Sequence, residues 1–139
     1  MRTEEKDYFR YTKDPDGNER NIMEEWDDQV ENFRYIISYL ENYNPGNILD
    51  VGCGPGFFLS GLGSIWNKYG IDISRKATKV CKNYGNVETG ELPKIEYEED
   101  YFDVITMIHV IEHLISPLSY IKKIKKILKK DGLFILETP

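Results

Sequence analysis

Asp50-Val51-Gly52-Cys53-Gly54-Pro55-Gly56 links one apolar run, Asn47-Ile48-Leu49, to another, Phe57-Phe58-Leu59. A short strand, a turn with glycine at every second position and the start of a helix are what this order of residue types predicts. Glycine permits the sharp turn and lets a ligand come within contact distance of the main chain. A helix behind it would aim free N–H groups and a positive dipole end at that ligand. Asp50 puts a carboxylate beside the turn. Asp72 puts a second at the end of the next strand-like run, Tyr69-Gly70-Ile71-Asp72. An acid there can hold two ribose hydroxyls, so the chemistry indicated is the binding of a nucleoside-bearing cofactor.

Two cofactor classes use such a turn. The dinucleotide fingerprint is G-x-G-x-x-G, its third glycine allowing helix and strand to pack closely. Gly52 and Gly54 fit, but position 57 is phenylalanine and the third glycine falls one residue early, at Gly56. Pro55 also stiffens the turn and removes an N–H donor, which is awkward for a pyrophosphate. The pattern D-x-G-x-G-x-G instead resembles motif I of the class I S-adenosylmethionine-dependent methyltransferases. Three further stretches resemble that family in the right order over residues 45–139. They are Tyr69–Ser74, with its acid-ended strand, Tyr101–Leu114, a fourth strand and its loop, and Ile127–Glu137, a fifth strand.

The resemblance implies roles for particular residues. The backbone around Gly52, Cys53, Gly54 and Gly56 would lie against the methionine portion and ribose. Asp50 would hold the ammonium group directly or through water, and Asp72 the ribose hydroxyls. Ile73 would pack on the adenine face. Glu91 or the backbone of Leu92 would meet the adenine edge. Met107, Ile108 and His109 would end near the reacting methyl. Transfer from a sulfonium asks little of the protein beyond in-line alignment and exclusion of water. Motifs therefore mark the cofactor site better than they mark catalysis.

His109, Glu112 and His113 stand at i, i+3 and i+4 and would share one face of a helix. Three readings stay open. His109 could take a proton from a hydroxyl or acidic carbon. The stretch also resembles quinone-biosynthesis O-methyltransferases, which carry an acid where His109 stands and an acid–histidine pair like Glu112-His113, a set that can hold a divalent cation. The third reading is structural, with Glu112 and His113 fixing the loop by hydrogen bonds; no metal site is assigned. H-x-x-E-H matches an inverted zinc-protease motif as well, but here the letters follow a strand rather than lying on a helix. The Cys53 thiol is read as a small buried hydrophobe rather than a nucleophile.

The surrounding elements must position these groups. Trp26, Val30, Phe33, Ile37 and Leu40 recur at three- and four-residue steps, predicting one amphipathic helix from Met23 to Tyr43, stopped by Asn44-Pro45-Gly46. Strands are expected near 47–51, 67–72, 86–89, 102–108 and 132–137, with helices at 56–64, 74–84 and 117–130. Such alternation argues for an α/β, Rossmann-like parallel sheet with right-handed crossovers and an N-terminal helix. Strand order 3-2-1-4-5 would put the ligand crevice at the carboxyl ends of the first and fourth strands. Lys122, Lys123, Lys125, Lys126, Lys129 and Lys130 interleave with Ile121, Ile124, Ile127 and Leu128. They read as the solvated side of a helix whose apolar side meets the sheet.

The chain has 139 residues and a formal net charge of −6, which suits one domain and argues against indiscriminate nucleic-acid binding. Residues 1–22 form a polar segment with interspersed aromatics, and 23–139 the cofactor-binding methyltransferase domain. The turn Asp14-Pro15-Asp16-Gly17-Asn18 falls in the first part. Tyr8, Phe9, Tyr11 and Trp26 could give an aromatic lid over a sulfonium, or simply pack locally. No apolar run approaches a membrane span, the start is too polar for a signal peptide, and Cys53 and Cys81 suggest no disulfide framework. A cytoplasmic setting is expected.

Family strands six and seven are absent, so the domain is expected to be C-terminally incomplete, with the fifth strand an exposed edge open to homodimer pairing. The function expected is S-adenosylmethionine-dependent O- or C-methylation of a small molecule by in-line displacement, releasing S-adenosylhomocysteine. The acceptor would be of the quinone-precursor or sugar type, with no nucleic-acid or membrane partner. The alternatives are a non-catalytic cofactor-binding remnant or partner subunit, and an NAD-dependent oxidoreductase.

Overall fold

The computed structural model describes residues 11–13 and 15–139. Its first elements form a short antiparallel hairpin, β1 (Tyr11–Lys13) and β2 (Glu19–Asn21), with Tyr11 opposite Asn21. The expected turn lies between them and carries Gly17 at φ +84°; Asp14 is outside the described residues. Tyr8, Phe9 and the Tyr11 side chain, read as lid surface, also lie outside. The hairpin itself went unforeseen because Glu19-Arg20-Asn21 shows no apolar alternation to announce a strand.

The single helix expected over 23–43 is corrected to two, α1 (Trp26–Glu31) and α2 (Arg34–Leu40), broken at Asn32-Phe33. Both pieces pack against α3, each through its own side chains. In α1, Trp26 stacks edge-on to Phe57 at a centroid distance of 4.5 Å and donates its indole N–H to Ser60 Oγ at 3.0 Å. Phe33 meets Phe58, and α2 buries Ile36, Ile37 and Leu40 while leaving Tyr35 and Tyr39 exposed.

From there strand and helix alternate: β3 (Asn47–Val51), α3 (Phe57–Gly61), β4 (Asn67–Asp72), α4 (Arg75–Cys81), β5 (Asn86–Thr89), β6 (Phe102–Ile108), α5 (Pro117–Ile127) and β7 (Leu128–Glu137). The last five strands pair in parallel in the order β5-β4-β3-β6-β7. Numbered within that sheet, this is 3-2-1-4-5, and the order reverses between β3 and β6. Loops leaving those two strands diverge to opposite faces, and their carboxyl ends bound a crevice.

Side-chain alternation divides the apolar residues between the two faces. Ile48 joins Ile37, Leu40, Phe58 and Leu59 on one side. Leu49, Val51, Ile71, Ile105 and Met107 pack with Tyr120, Ile124 and Ile127 on the other. As expected, α5 turns its apolar side inward and leaves Lys122, Lys125 and Lys126 exposed.

The helix expected over 74–84 is shorter, Arg75–Cys81, and two further boundaries need correction. The helix expected over 56–64 is only Phe57–Gly61, because an added Cβ on Gly61 would stand 2.7 Å from both Ile37 and Val30, so the helix end lies flush against the N-terminal helices. The helix expected to reach Lys130 ends at Ile127. Lys129 and Lys130 favour helix locally, but Leu128 pairs with Phe102, and the ladder then slips so that Leu133 faces Val104. Beyond β7 the sheet has no further strand among the described residues, and Leu136 there is 44% exposed.

Candidate functional site

The carboxyl ends of the strands surround a cavity of about 530 Å³, within the roughly 300–1,000 Å³ typical of small-ligand sites. β3 and the turn after it contribute Val51, Gly52 and Gly54 to its wall, and β4 with the residue after it contributes Ile71, Asp72 and Ile73. Gly90 and Leu92 follow β5; Ile108, His109 and Val110 end β6; His113, Leu114 and Tyr120 complete the lining. The wall holds one carboxylate and two imidazoles, and neither lysine nor arginine is among its residues.

Gly52 and Gly54 are glycine for different reasons. Gly52 has φ +80°, and an added Cβ would lie 2.2 Å from Val110 Cγ2. Gly54 has φ +54°, and nothing lies within 4 Å of where its Cβ would be. The first is a packing constraint at the base of the turn. The second leaves open space for a ligand against the main chain.

The N–H groups of the turn are donated within the protein. Gly52 and Cys53 bond to the Ile71 carbonyl at 2.8 and 3.0 Å, and Gly56 to the Cys53 carbonyl at 3.1 Å. Gly54 donates to Asp72 Oδ2 at 2.9 Å, and Pro55 has no N–H to offer. With α3 only five residues long, the expected dipole end is also weak. The turn therefore supplies shape rather than anion-binding donors.

Asp72 is the polar centre of the wall. Its Oδ2 accepts from Gly54 and its Oδ1 from the Ser74 N–H at 2.9 Å, which fixes the carboxylate between turn and helix. A carboxylate has about four acceptor sites, so ribose-type hydroxyls can still be received. The N-cap of α4 is Ser74, whose hydroxyl accepts from Ala77 N–H at 3.2 Å. Ile73, at 65% exposure, offers an apolar surface beside Asp72.

Asp50 lies beneath the turn rather than on the wall, because strand alternation sends it to the face opposite Val51. It is 4% exposed, and Thr106 Oγ1 donates to its Oδ1 at 2.7 Å. Burial pushes its carboxyl up to about 7, with the Thr106 hydrogen bond opposing and the Asp72 charge adding.

His109 ends β6 in the left-handed region at φ +55° and lines the cavity. Its Nε2 lies 3.0 Å from Glu137 Oε1 and its Nδ1 4.0 Å from Glu112 Oε1. Ile111–His113 form one 3-10 turn. The helical face expected for His109, Glu112 and His113 is therefore corrected: the positive φ at His109 breaks the spacing. Glu112 Oε1 also lies 3.6 Å from His113 Nε2, so it sits between the two rings at ion-pair rather than hydrogen-bond distance.

The other expected residues are less directly placed. The Cys53 thiol is buried at the back of the turn, where an added Cβ on Gly70 would meet it at 2.9 Å. A hydrogen bond with the Cys81 thiol, then burial, hold its ionisation far above the ordinary cysteine value. Gly56 backs onto Cys81 and Tyr84, and Met107 is fully buried under the sheet end. Glu91 points outward to Lys94 Nζ at 2.6 Å, whereas Leu92 is buried in the wall. Sequence reasoning missed Val110, Leu114, Thr106 and Tyr120. Tyr120 is the lone aromatic among the inward-facing residues of α5, a signal that says nothing of which strand end it reaches.

A family model described as a methyltransferase domain matches residues 19–139. A ubiquinone biosynthesis O-methyltransferase from Glaesserella parasuis serovar 5 (strain SH0165) is 32% identical over 121 residues, covering 73% of this chain and 50% of that protein. The chain spans about half the length of the curated relatives it matches. Among solved structures, the PH0226 protein of Pyrococcus horikoshii OT3 aligns with a TM-score of 0.69 at 25% identity, over 81% of this chain and 54% of that one. A SAM-dependent methyltransferase from Archaeoglobus fulgidus aligns with a TM-score of 0.69 at 23% identity, over 82% and 53%, and shares the fold.

Proposed function

Because the chain belongs to the methyltransferase-domain family, we propose that it transfers the methyl group of S-adenosylmethionine to a small-molecule acceptor by in-line displacement. One observation carries the choice of cofactor. The turn's N–H groups are satisfied within the protein, and the wall around it has a carboxylate but no lysine or arginine. A pyrophosphate would need those donors and positive charges, whereas a cationic sulfonium suits an anionic, largely apolar cavity. NAD is disfavoured on the same ground.

When bound, the cofactor supplies a methyl group already activated by its sulfonium. Asp72 would receive the ribose hydroxyls on its remaining lone pairs, with Ile73 and Leu92 against the adenine. Gly54 would let the methionine portion lie on the main chain. Asp50 is too deeply buried for direct contact, so it would act on the ammonium group through water. Cys53 and Gly56 would contribute backbone shape, and Met107 and Ile108 would support the end of the cavity near the methyl. Glu91 would reach the adenine edge only by leaving Lys94. His109 would accept a proton from the acceptor, while Val110 and Leu114 exclude water.

The printed name of the relatives supports an O-methyl acceptor of the quinone-precursor type, with a C-acid or sugar-type acceptor as the broader class. Residues 23–139 would form the cofactor-binding unit. Free thiols at Cys53 and Cys81 fit a cytoplasmic setting, and no helix among the described residues is long and apolar enough to cross a membrane. A second copy would pair along the open edge of β7; a chain that sediments as a monomer at high concentration refutes this.

Calorimetric titration tests the cofactor reading. S-adenosylmethionine and S-adenosylhomocysteine should bind and NAD should not. Asp72→Ala should weaken binding by at least about tenfold, since each hydrogen bond to a charged group is worth roughly 1.5–3 kcal/mol. NAD binding alone would overturn the assignment.

A further inference from the structure

Glu137 is not among the residues lining the cavity, yet the end of β7 is where three elements meet. Its backbone carbonyl accepts the His109 N–H at 2.8 Å. Its Oε1 lies 3.0 Å from His109 Nε2. Its Oε2 accepts a hydrogen bond from the hydroxyl of Tyr35, which comes from the exposed side of α2. The adjoining Thr138 hydroxyl donates to Glu112 Oε2 at 3.3 Å, and Glu112 Oε1 stands 4.0 Å from His109 Nδ1. Tyr35, Glu112, His113 and Glu137 are thus the titratable groups around the ring.

This arrangement distinguishes the two ring nitrogens. A neutral imidazole has one donor and one acceptor, and the partner of one nitrogen decides the state of the other. The Glu137 carboxylate 3.0 Å from Nε2 favours the proton there over Nδ1, where Glu112 stands farther off at 4.0 Å. A proton arriving at Nδ1 would make an imidazolium between Glu137 and Glu112, two groups of opposite charge. The main chain of His109, held at φ +55°, is fixed by the same residue through its backbone bond.

We propose that Glu137, anchored by Tyr35, is the positioning residue of His109: it selects the Nε2–H form of the ring and leaves Nδ1 to receive the proton of the methyl acceptor. The proposal rests on His109 as the proton acceptor in the reaction proposed above. His109 Nδ1 takes the hydroxyl proton as that oxygen bonds the methyl carbon and the sulfur keeps the electron pair of the bond that breaks. No further reagent is required. Tyr35 links the outer face of α2 to the proton acceptor, so a contact made on that helix would reach the ring through one carboxylate.

Nitrogen-15 NMR of the histidine rings tests this in the ligand-free chain. There are two histidines, and His113→Gln leaves His109 alone. The neutral ring should show a protonated Nε2 and a bare Nδ1. Glu137→Ala should replace that pattern with averaged signals of both tautomers, and Tyr35→Phe should move it part of the way. An unchanged tautomer pattern in folded Glu137→Ala overturns the proposal. Should that variant not fold, Tyr35→Phe carries the test, and no change there overturns the anchor. The Tyr35 phenol provides an independent reading. Burial, then the hydrogen bond to Glu137 and its charge, push it up to about 12, so Glu137→Ala should return it toward the ordinary value of about 10. Titrating S-adenosylmethionine into the same samples separates the two readings. No binding by the wild-type chain defeats the cofactor assignment; binding with an unchanged ring defeats only the role given to Glu137.

Discussion

Gly52 and Gly54 differ by what a methyl group would meet, and that predicts different outcomes for the same substitution. Gly54→Ala meets nothing within 4 Å and suffers only its left-handed φ of +54°, a cost of roughly 1–2 kcal/mol. Its methyl would intrude on the ligand's path, so cofactor affinity should fall more than stability. Gly52→Ala adds a 2.2 Å clash with Val110, a β-branched side chain with little freedom to move. It should be clearly the more destabilising of the two by urea denaturation. Val110→Ala should recover part of that loss and none of the backbone strain.

Asp50 gives a pH dependence of definite sign. Its carboxyl ionises at about 7 in the fold and near 3.9 when unfolded. The native chain therefore holds an extra proton across that window. This contribution to stability is present in full below the unfolded value and is lost as pH rises through the window. The loss is on the order of 1.4 kcal/mol per pH unit. Asp50→Asn should flatten the fall in melting temperature between pH 4 and 7. A slope identical to wild type would show that burial in the surrounding core does not hold the proton on against the Thr106 hydrogen bond.

Among the elements, α4 shows how local chemistry secures the site. Ser74 caps the helix, Asp72 receives the Ser74 N–H, and Thr78 Oγ1 meets Thr89 Oγ1 at 2.6 Å, tying α4 to β5. Ser74→Ala should cost about 1 kcal/mol in chemical denaturation. It should weaken cofactor binding less than Asp72→Ala, because the carboxylate keeps its bond from Gly54. β7 is the contrasting case, an element whose limits depend on its neighbour. Lys129-Lys130 favours helix locally, yet the pairing of Leu128 with Phe102 begins the strand before them.

In the whole molecule the cavity forms where the sheet order reverses, so a ligand there bridges the ends of β3, β4 and β6. Binding to the native state alone stabilises by mass action, about 2.7 kcal/mol at a hundredfold excess over Kd. S-adenosylmethionine and S-adenosylhomocysteine should each raise the melting temperature by several degrees, and NAD should leave it unchanged. Differential scanning measurements with the three ligands in parallel check this.

The strand–turn–helix around Gly52 and the acid at Asp72 were legible in the sequence because a tight turn and a strand-end carboxylate are short-range features, written in neighbouring residues. The alternation of apolar runs specified the parallel sheet for the same reason. What surrounds those features was not legible. Val110 against Gly52, Thr106 on Asp50, and Glu137 between Tyr35 and His109 join residues 58, 56, 102 and 28 positions apart, and only the strand register brings them together. The break at Asn32-Phe33 likewise follows from what Trp26 and Phe33 pack against, which periodicity along one helix does not contain. Local residue types pointed to where a cofactor would lie; the tertiary structure decided which donors are already satisfied, which carboxylate is buried, and which carboxylates flank the His109 ring.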